Sequence, residues 1–236
     1  MNNKLIEYQD DSQILEGYYV FHDDNKKRPG VIVSHAWGGL SDYEKEKSHA
    51  LADLGYNVLA IDMYGKGVRG SSVEENQKLM TPFVEDRAML RQRISAGLNT
   101  LKTFDGVDEN KTAAIGYCFG GLCVLDLARS GSDVCGVVSV HGLLMPAEDL
   151  PNQNIKAKIL ALHGYSDPMA TPEQLTALGS ELTESKADWQ VHAYGLTYHA
   201  FTNPAANSVE MGTVYNADAD RRSWQATRNF LEELFS

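Results

Sequence analysis

Cysteine is scarce in this chain. There are three, Cys118, Cys123 and Cys135, an odd number with no C-x-x-C spacing among them. That argues against a disulfide framework and against a structural zinc site. Positive charge is also short: 21 Lys and Arg stand against 32 Asp and Glu, a formal charge of −11. Such a balance excludes the basic face on which nucleic-acid binders depend. The acidic surplus names no partner, because a solvated surface accounts for it. No stretch approaches the roughly 18 apolar residues of a membrane span. The opening MNNKLIEYQDDSQ holds no apolar run suited to a signal peptide. Proline-, glycine- or serine-rich linkers, repeats and low-complexity tracts are all missing. The expectation is therefore one domain over residues 1–236, cytoplasmic, with no nucleic-acid or membrane partner. Nothing in these features bears on oligomeric state. A G-x-G-x-x-G tract is missing too, so no dinucleotide site is expected, and the chemistry read below requires neither metal nor organic cofactor.

What the chain does have is alternation. GYYVFHD (17–23) and GVIVSHA (30–36) read as strands, followed by a helix over YEKEKSHALADLG (43–55) that stops on Gly55. YNVLAID (56–62) is a strand again. PFVEDRAMLRQRISAGLNTLKTF (82–104) reads as one long amphipathic helix with Pro82 in its first turn. TAAIGYC (112–118) is a strand whose helix follows from Phe119 to about Arg129. VCGVVSVHG (134–142), AKILALHG (157–164) and DWQVHAYG (188–195) are further strands, and helices fill 171–186 and 219–235. Continuous apolar strands alternating with helices predict an α/β fold with a mostly parallel sheet covered on both faces. The ligand site of such a sheet lies beyond the carboxyl ends of its strands. Polar residues follow several of those ends: His35, Asp62, Cys118, His141 and Asp167.

Cys118 sits in Gly116-Tyr117-Cys118-Phe119-Gly120, a G-x-C-x-G tract at the point where strand becomes helix. This is the pattern of a nucleophile elbow with cysteine in the serine position. The tight turn lifts the side chain above the sheet. The glycines let strand and helix backbones pass closely, and the helix N-terminus favours a thiolate. The plain alternative is a buried cysteine in a glycine-rich turn, and the strand–elbow–helix context argues against it. A thiol nucleophile needs a base, and the base needs an orienting acid, in chain order nucleophile, acid, histidine. Asp167 in HGYSDP and His199 in YHAF fit that order. The candidate triad is Cys118, Asp167 and His199. The N–H groups of Phe119 and of Ala36, in the SHAWGG loop, are the expected oxyanion donors. Trp37 is placed at the pocket wall or in the core. His163 is expected beneath the site, His141 at its border and His192 within a strand. Cys123 and Cys135 read as small buried hydrophobes in helix and strand interiors.

These motifs resemble the dienelactone hydrolase family. GYCFGG, HGYSDP and YHAF match its nucleophile, acid and histidine segments, and VIVSHAWGGLSDY with LADLGYNVLAIDMYGKG matches its amino-terminal half. The likeness runs from about Gly17 to Phe235. It implies a minimal α/β-hydrolase fold without a large lid. Two positions depart from the pattern. Members that open dienelactone carry a glutamate where His35 stands, and a substrate-binding arginine where Asn203 stands. His35, Trp37 and Asn203 are therefore expected in the substrate pocket, with Arg69 or Arg87 as stand-ins for the missing cation. The expected activity is cysteine-dependent hydrolysis of small carboxylic esters or lactones, with the substrate left open. The alternatives are a thioesterase or acyl transferase, or a hydrolase scaffold that binds a ligand or senses redox through its thiol without turnover.

Overall fold

The computed structural model describes residues 1–147 and 150–236. The chain runs β1 (Asn2–Asp10), β2 (Gln13–Phe21), β3 (Arg28–Ser34), α1 (Asp42–Ala52), β4 (Asn57–Ile61), α2 (Val73–Glu85), α3 (Arg87–Lys102) and β5 (Val107–Tyr117). It continues through α4 (Phe119–Arg129), β6 (Gly136–Val140), β7 (Lys158–Gly164), α5 (Pro172–Glu184), β8 (Trp189–Tyr194), β9 (Asn207–Ser208), β10 (Thr213–Val214) and α6 (Ala217–Phe235). Eight strands form one sheet in the order β1-β2-β4-β3-β5-β6-β7-β8. Pairing is parallel from β4 through β8 and antiparallel at β1–β2 and β2–β4.

The central strands are apolar throughout because both sheet faces are covered, and their alternation sorts the core into two layers. Ile32, Leu59, Ala114, Val137 and Ile159 point toward α2–α5. Val31, Val33, Ala60, Ile115, Val138 and Leu160 point to the other face, toward α1 and α6. The helix α4 is buried over its whole length. It is packed between sheet and outer helices and leads directly out of the strand that carries Cys118.

Two segments differ from the sequence reading. The amino-terminal residues, which carry no strand signal, form a hairpin with β2. Its two-residue turn has Asp11 at φ 49°. β1 is an edge strand exposed at most positions, so it lacks the apolar pattern by which strands are read. The long helix over 82–104 is two helices. Pro82 lies inside α2, near its end, rather than in a first turn. The break falls at Asp86, whose carboxylate accepts the Met89 N–H and caps α3. The amphipathic pattern continues across the break and so conceals it.

The carboxyl ends of β3 to β8 gather His35, Asp62, Cys118, His141, Asp167 and His199 along one edge. Not all of them are free for chemistry. Asp62 accepts the N–H groups of Glu16, Tyr64 and Gly65 and serves the backbone.

Candidate active site

Cys118 has φ 56° and ψ −116°, in a region that L-residues rarely adopt. The strain has a visible cause. A Cβ on Gly116 would run into the Gly120 carbonyl, and one on Gly120 into the Ser34 carbonyl. The strand and helix therefore cross at glycine-only distance, and the residue between them absorbs the turn. Cys118 is half-buried, with its sulfur at the wall of a cavity of about 510 Å³. Phe119 opens α4, so its N–H has no acceptor within the helix.

His199 lies beyond β8 and is clamped by the β9–β10 hairpin. Its N–H donates to Gly212 O, and its carbonyl accepts from the Val214 N–H. His199 Nδ1 and Asp167 Oδ2 are 2.7 Å apart, both side chains buried. Asp167 Oδ1 accepts the Met169 and Ala170 N–H groups. A carboxylate only accepts, so Nδ1 carries the proton. Nε2 is buried with no oxygen or nitrogen partner, and the Cys118 thiol is the group that acts on it. Burial, the largest influence on this ring, disfavours its charge. The charge of Cys118 and the Asp167 carboxylate together outweigh it and push the imidazolium up to about 10.

Ala36 lines the cavity, but its N–H is already engaged. Glu44, in the first turn of α1, accepts it at 3.2 Å through Oε1. Its other oxygen accepts the Ser41 N–H at 2.9 Å and the Ser41 hydroxyl at 2.6 Å. Ser41 is the N-cap of α1, and the pair forms a capping box. Glu44 is 1% exposed and lines the cavity.

Trp37 and Asn203 both line the cavity, as do Tyr43, Met80, Tyr117, His141, Leu143, Met169 and Met211. His35 does not. It is fully buried, its Nε2 accepting the Met63 N–H at 3.1 Å and its Nδ1 donating to Ala36 O at 2.6 Å. Burial pushes its charged form down, and both nitrogens are used in the neutral ring. His35 thus ties the β3 and β4 ends together beneath the pocket and meets no substrate. The proposed stand-in cations are also elsewhere. Arg87 grips Asp126 through two 2.7 Å bonds, and Arg69 donates to the Leu40 and Val68 carbonyls.

His141 borders the cavity, its ring 5.2 Å from that of His199 and its Nε2 2.8 Å from Thr202 Oγ1. Burial and the neighbouring His199 hold it well below the usual histidine range. His163 is buried under the site with neither ring nitrogen partnered. His192 is exposed on β8. Cys123 is buried as expected. Cys135 is not in a strand interior: it precedes β6, half-exposed, with its thiol 3.2 Å from Asn110 O.

The chief residue missed in the sequence is Glu44. Its signal was local, Ser41-x-x-Glu44 ahead of a helix, and reads only as a cap. The methionines and Tyr43 carry no signal, since apolar residues in a pocket wall look like core. Among the described residues no cluster of His, Cys, Asp or Glu is placed to hold a metal ion, and no helix is long and apolar enough to cross a membrane.

Comparison with known proteins identifies the family. The profile described as "Dienelactone hydrolase family" matches residues 15–235. A solved structure of a dienelactone hydrolase-like promiscuous phosphotriesterase from metagenomic libraries superposes with a TM-score of 0.93 at 36% identity, covering 100% of this chain and 99% of the other. An uncharacterised protein of Caenorhabditis elegans is 37% identical over 62% of this chain and 95% of its own. A putative carboxymethylenebutenolidase of Saccharolobus solfataricus is 24% identical over 98% of both chains. The match over residues 15–235 and the mostly parallel sheet show that this chain belongs to the dienelactone hydrolase family, ester-bond hydrolases of the α/β-hydrolase fold.

Proposed function

We propose that the protein is a cysteine-dependent hydrolase of small carboxylic esters or lactones, with Cys118 as nucleophile, His199 as base and acid, and Asp167 as the orienting acid. The observation that carries this reading is the strained Cys118 backbone at the cavity wall beside a histidine whose other nitrogen is held by a buried carboxylate. Cys118 Sγ attacks the acyl carbon, and His199 holds the thiol proton. As the C–O bond breaks, His199 gives that proton to the leaving alcohol, and a thioester remains. Water then loses a proton to His199 and attacks the thioester carbon. Carboxylic acid leaves, and the proton returns to sulfur. The Phe119 N–H, and the Ala36 N–H once Glu44 releases it, stabilise the oxyanion in both steps. Asp167 fixes the tautomer and favours the imidazolium.

No Lys or Arg lines the cavity among the described residues. The resemblance to dienelactone hydrolases therefore does not bring dienelactone itself as substrate, since nothing in the pocket replaces the missing arginine as a partner for a carboxylate. Neutral acyl groups fit the aromatic and methionine walls.

Thiol alkylation tests the assignment. One equivalent of iodoacetamide should label Cys118 ahead of Cys123 and Cys135, and loss of p-nitrophenyl acetate hydrolysis should track that label. Turnover that persists after Cys118 is fully alkylated overturns the assignment.

A further inference from the structure

Glu44 stands in an unusual place for a helix-capping residue. Three donors converge on its two oxygens: the Ala36 N–H, the Ser41 N–H and the Ser41 hydroxyl. Two of the three are backbone N–H groups, which can only donate, and they reach one oxygen each, an arrangement that favours a carboxylate. It is buried, it borders the cavity, and it forms no ion pair among the described residues.

The charge balance follows. With one proton between them, the Cys118–His199 pair is neutral, whether written as thiol and imidazole or as thiolate and imidazolium. His141 stays neutral. What remains is Asp167 behind His199 and Glu44 at the wall, two negative charges with no cation in the lining. Lys47, which lies over the Tyr43 and Tyr117 rings, is 3.7 Å from Asp220. Buried charges of this kind are weakly screened by salt.

We propose that Glu44 is the specificity-determining residue of this site: its carboxylate, seated on the Ala36 N–H, admits neutral and cationic acyl groups and refuses those that carry a carboxylate. The inference rests on the hydrolase reading above and adds the charge class of the substrate. A neutral acyl oxygen entering the site displaces one carboxylate oxygen from one N–H. A substrate bearing its own carboxylate meets in addition a like charge with no counter-ion. A cationic acyl tail gains the carboxylate as its counter-ion.

The test uses three p-nitrophenyl esters of matched length on the intact protein: 4,4-dimethylpentanoate (neutral), its trimethylammonium isostere (cationic) and hemiglutarate (anionic). Wild type should hydrolyse the anionic ester at a kcat/KM about tenfold or more below the neutral one, with the cationic ester at least equal to the neutral. Glu44→Gln should narrow the anionic-to-neutral gap by about tenfold. Ser41→Ala, which removes a cap but keeps the charge, should preserve the gap while lowering thermal stability, so a merely structural role for Glu44 predicts the opposite pairing of results. An anionic ester as fast as the neutral one in wild type overturns the proposal without any variant, and so does a gap unchanged in Glu44→Gln. Cys118→Ala separates the two readings. If it leaves all three esters turning over, the hydrolase assignment fails; if it stops all three while the gap ignores Glu44, only this inference fails.

Discussion

The two ends of α4 carry two buried charged clusters that differ in one respect. At the amino end stand Cys118, His199 and Asp167. In the last turn stand Asp126 and Arg129, joined by Arg87 from α3 and Glu181 from α5. In the second cluster Arg129 spends its donors on Glu181 at 2.8 and 2.7 Å, on Asp126 at 3.2 Å and on the Leu144 and Met145 carbonyls. Arg87 holds Asp126 bidentately. In the first cluster Asp167 is satisfied, but His199 Nε2 has no oxygen or nitrogen partner and Cys118 is held in a strained conformation. A buried polar group left unpaired costs free energy. The second cluster has one such group as well, Arg91 Nε, 3.7 Å from Asp126, but no strained backbone and no place on the cavity wall. Burial of charge alone therefore does not identify a functional site. Unspent hydrogen-bonding capacity facing a cavity does.

Cys118→Ala should abolish hydrolysis of p-nitrophenyl acetate, a loss of several orders of magnitude in turnover, while the circular dichroism spectrum and melting temperature stay near wild type. A variant that unfolds would move Cys118 into the structural class with Arg87 and Asp126. His199→Ala should cost about 10²–10⁴ in turnover, and Asp167→Ala somewhat less, because the acid acts through the base. Neither loss should add to that of Cys118→Ala, since the three groups act as a unit. If both single variants stay within about twofold of wild type, well short of that range, His141 and His163 become the bases to test.

The opposite cluster should respond in the opposite currency. Asp126→Ala leaves three arginines, Arg87, Arg91 and Arg129, buried beside an empty site, and urea unfolding should show a loss of about 3–5 kcal/mol. Below the unfolding transition the residual folded protein should keep its turnover per active site. A fall in kcat with stability unchanged would show that the two clusters are coupled through α4.

The smallest effect concerns pH. His199 must be protonated to donate to a poor leaving group, and its imidazolium is held up to about 10. The acid form is present below that value and lost above it, so kcat/KM for an alkyl ester should fall as pH rises through about 10. A p-nitrophenyl ester, whose leaving group needs no proton, should lack that limb. Asp167→Asn removes one of the charges that favour the imidazolium and should move the limb to lower pH. Identical alkaline limbs for both ester types would assign the limb to another group.

Features that depend on neighbours in the chain were legible in the sequence. The elbow is five consecutive residues, and the Gly-x-Cys-x-Gly spacing reflects a strand and a helix crossing too closely for any Cβ. The apolar runs of β3 to β7 mark a sheet covered on both faces. Asp167 and His199 followed from the order of the motif. Other features escaped because distant residues create them. β1 lacks an apolar pattern because it is a mostly exposed edge strand. Asp86 interrupts α2 and α3 without interrupting their amphipathic pattern. Arg87 looked free because its partner Asp126 lies in another helix. His35 looked like a pocket residue because its place after β3 is shared with the loop that lines the cavity. Its ring turns inward to Met63, at the end of β4.

The sequence by itself determined the alternation of elements, the parallel sheet, the position of the strained cysteine and the order of its companions, because periodicity, glycine spacing and motif order are properties of the chain. Only the tertiary structure decided the electrostatics of the cavity. It sends Arg69 and Arg87 to other partners, buries His35 as a neutral link and turns the loop before α1 back so that Glu44 reaches the Ala36 N–H. The physical reason is that the charge of a site depends on which groups are within a few ångströms of one another and unsatisfied, and folding alone settles that.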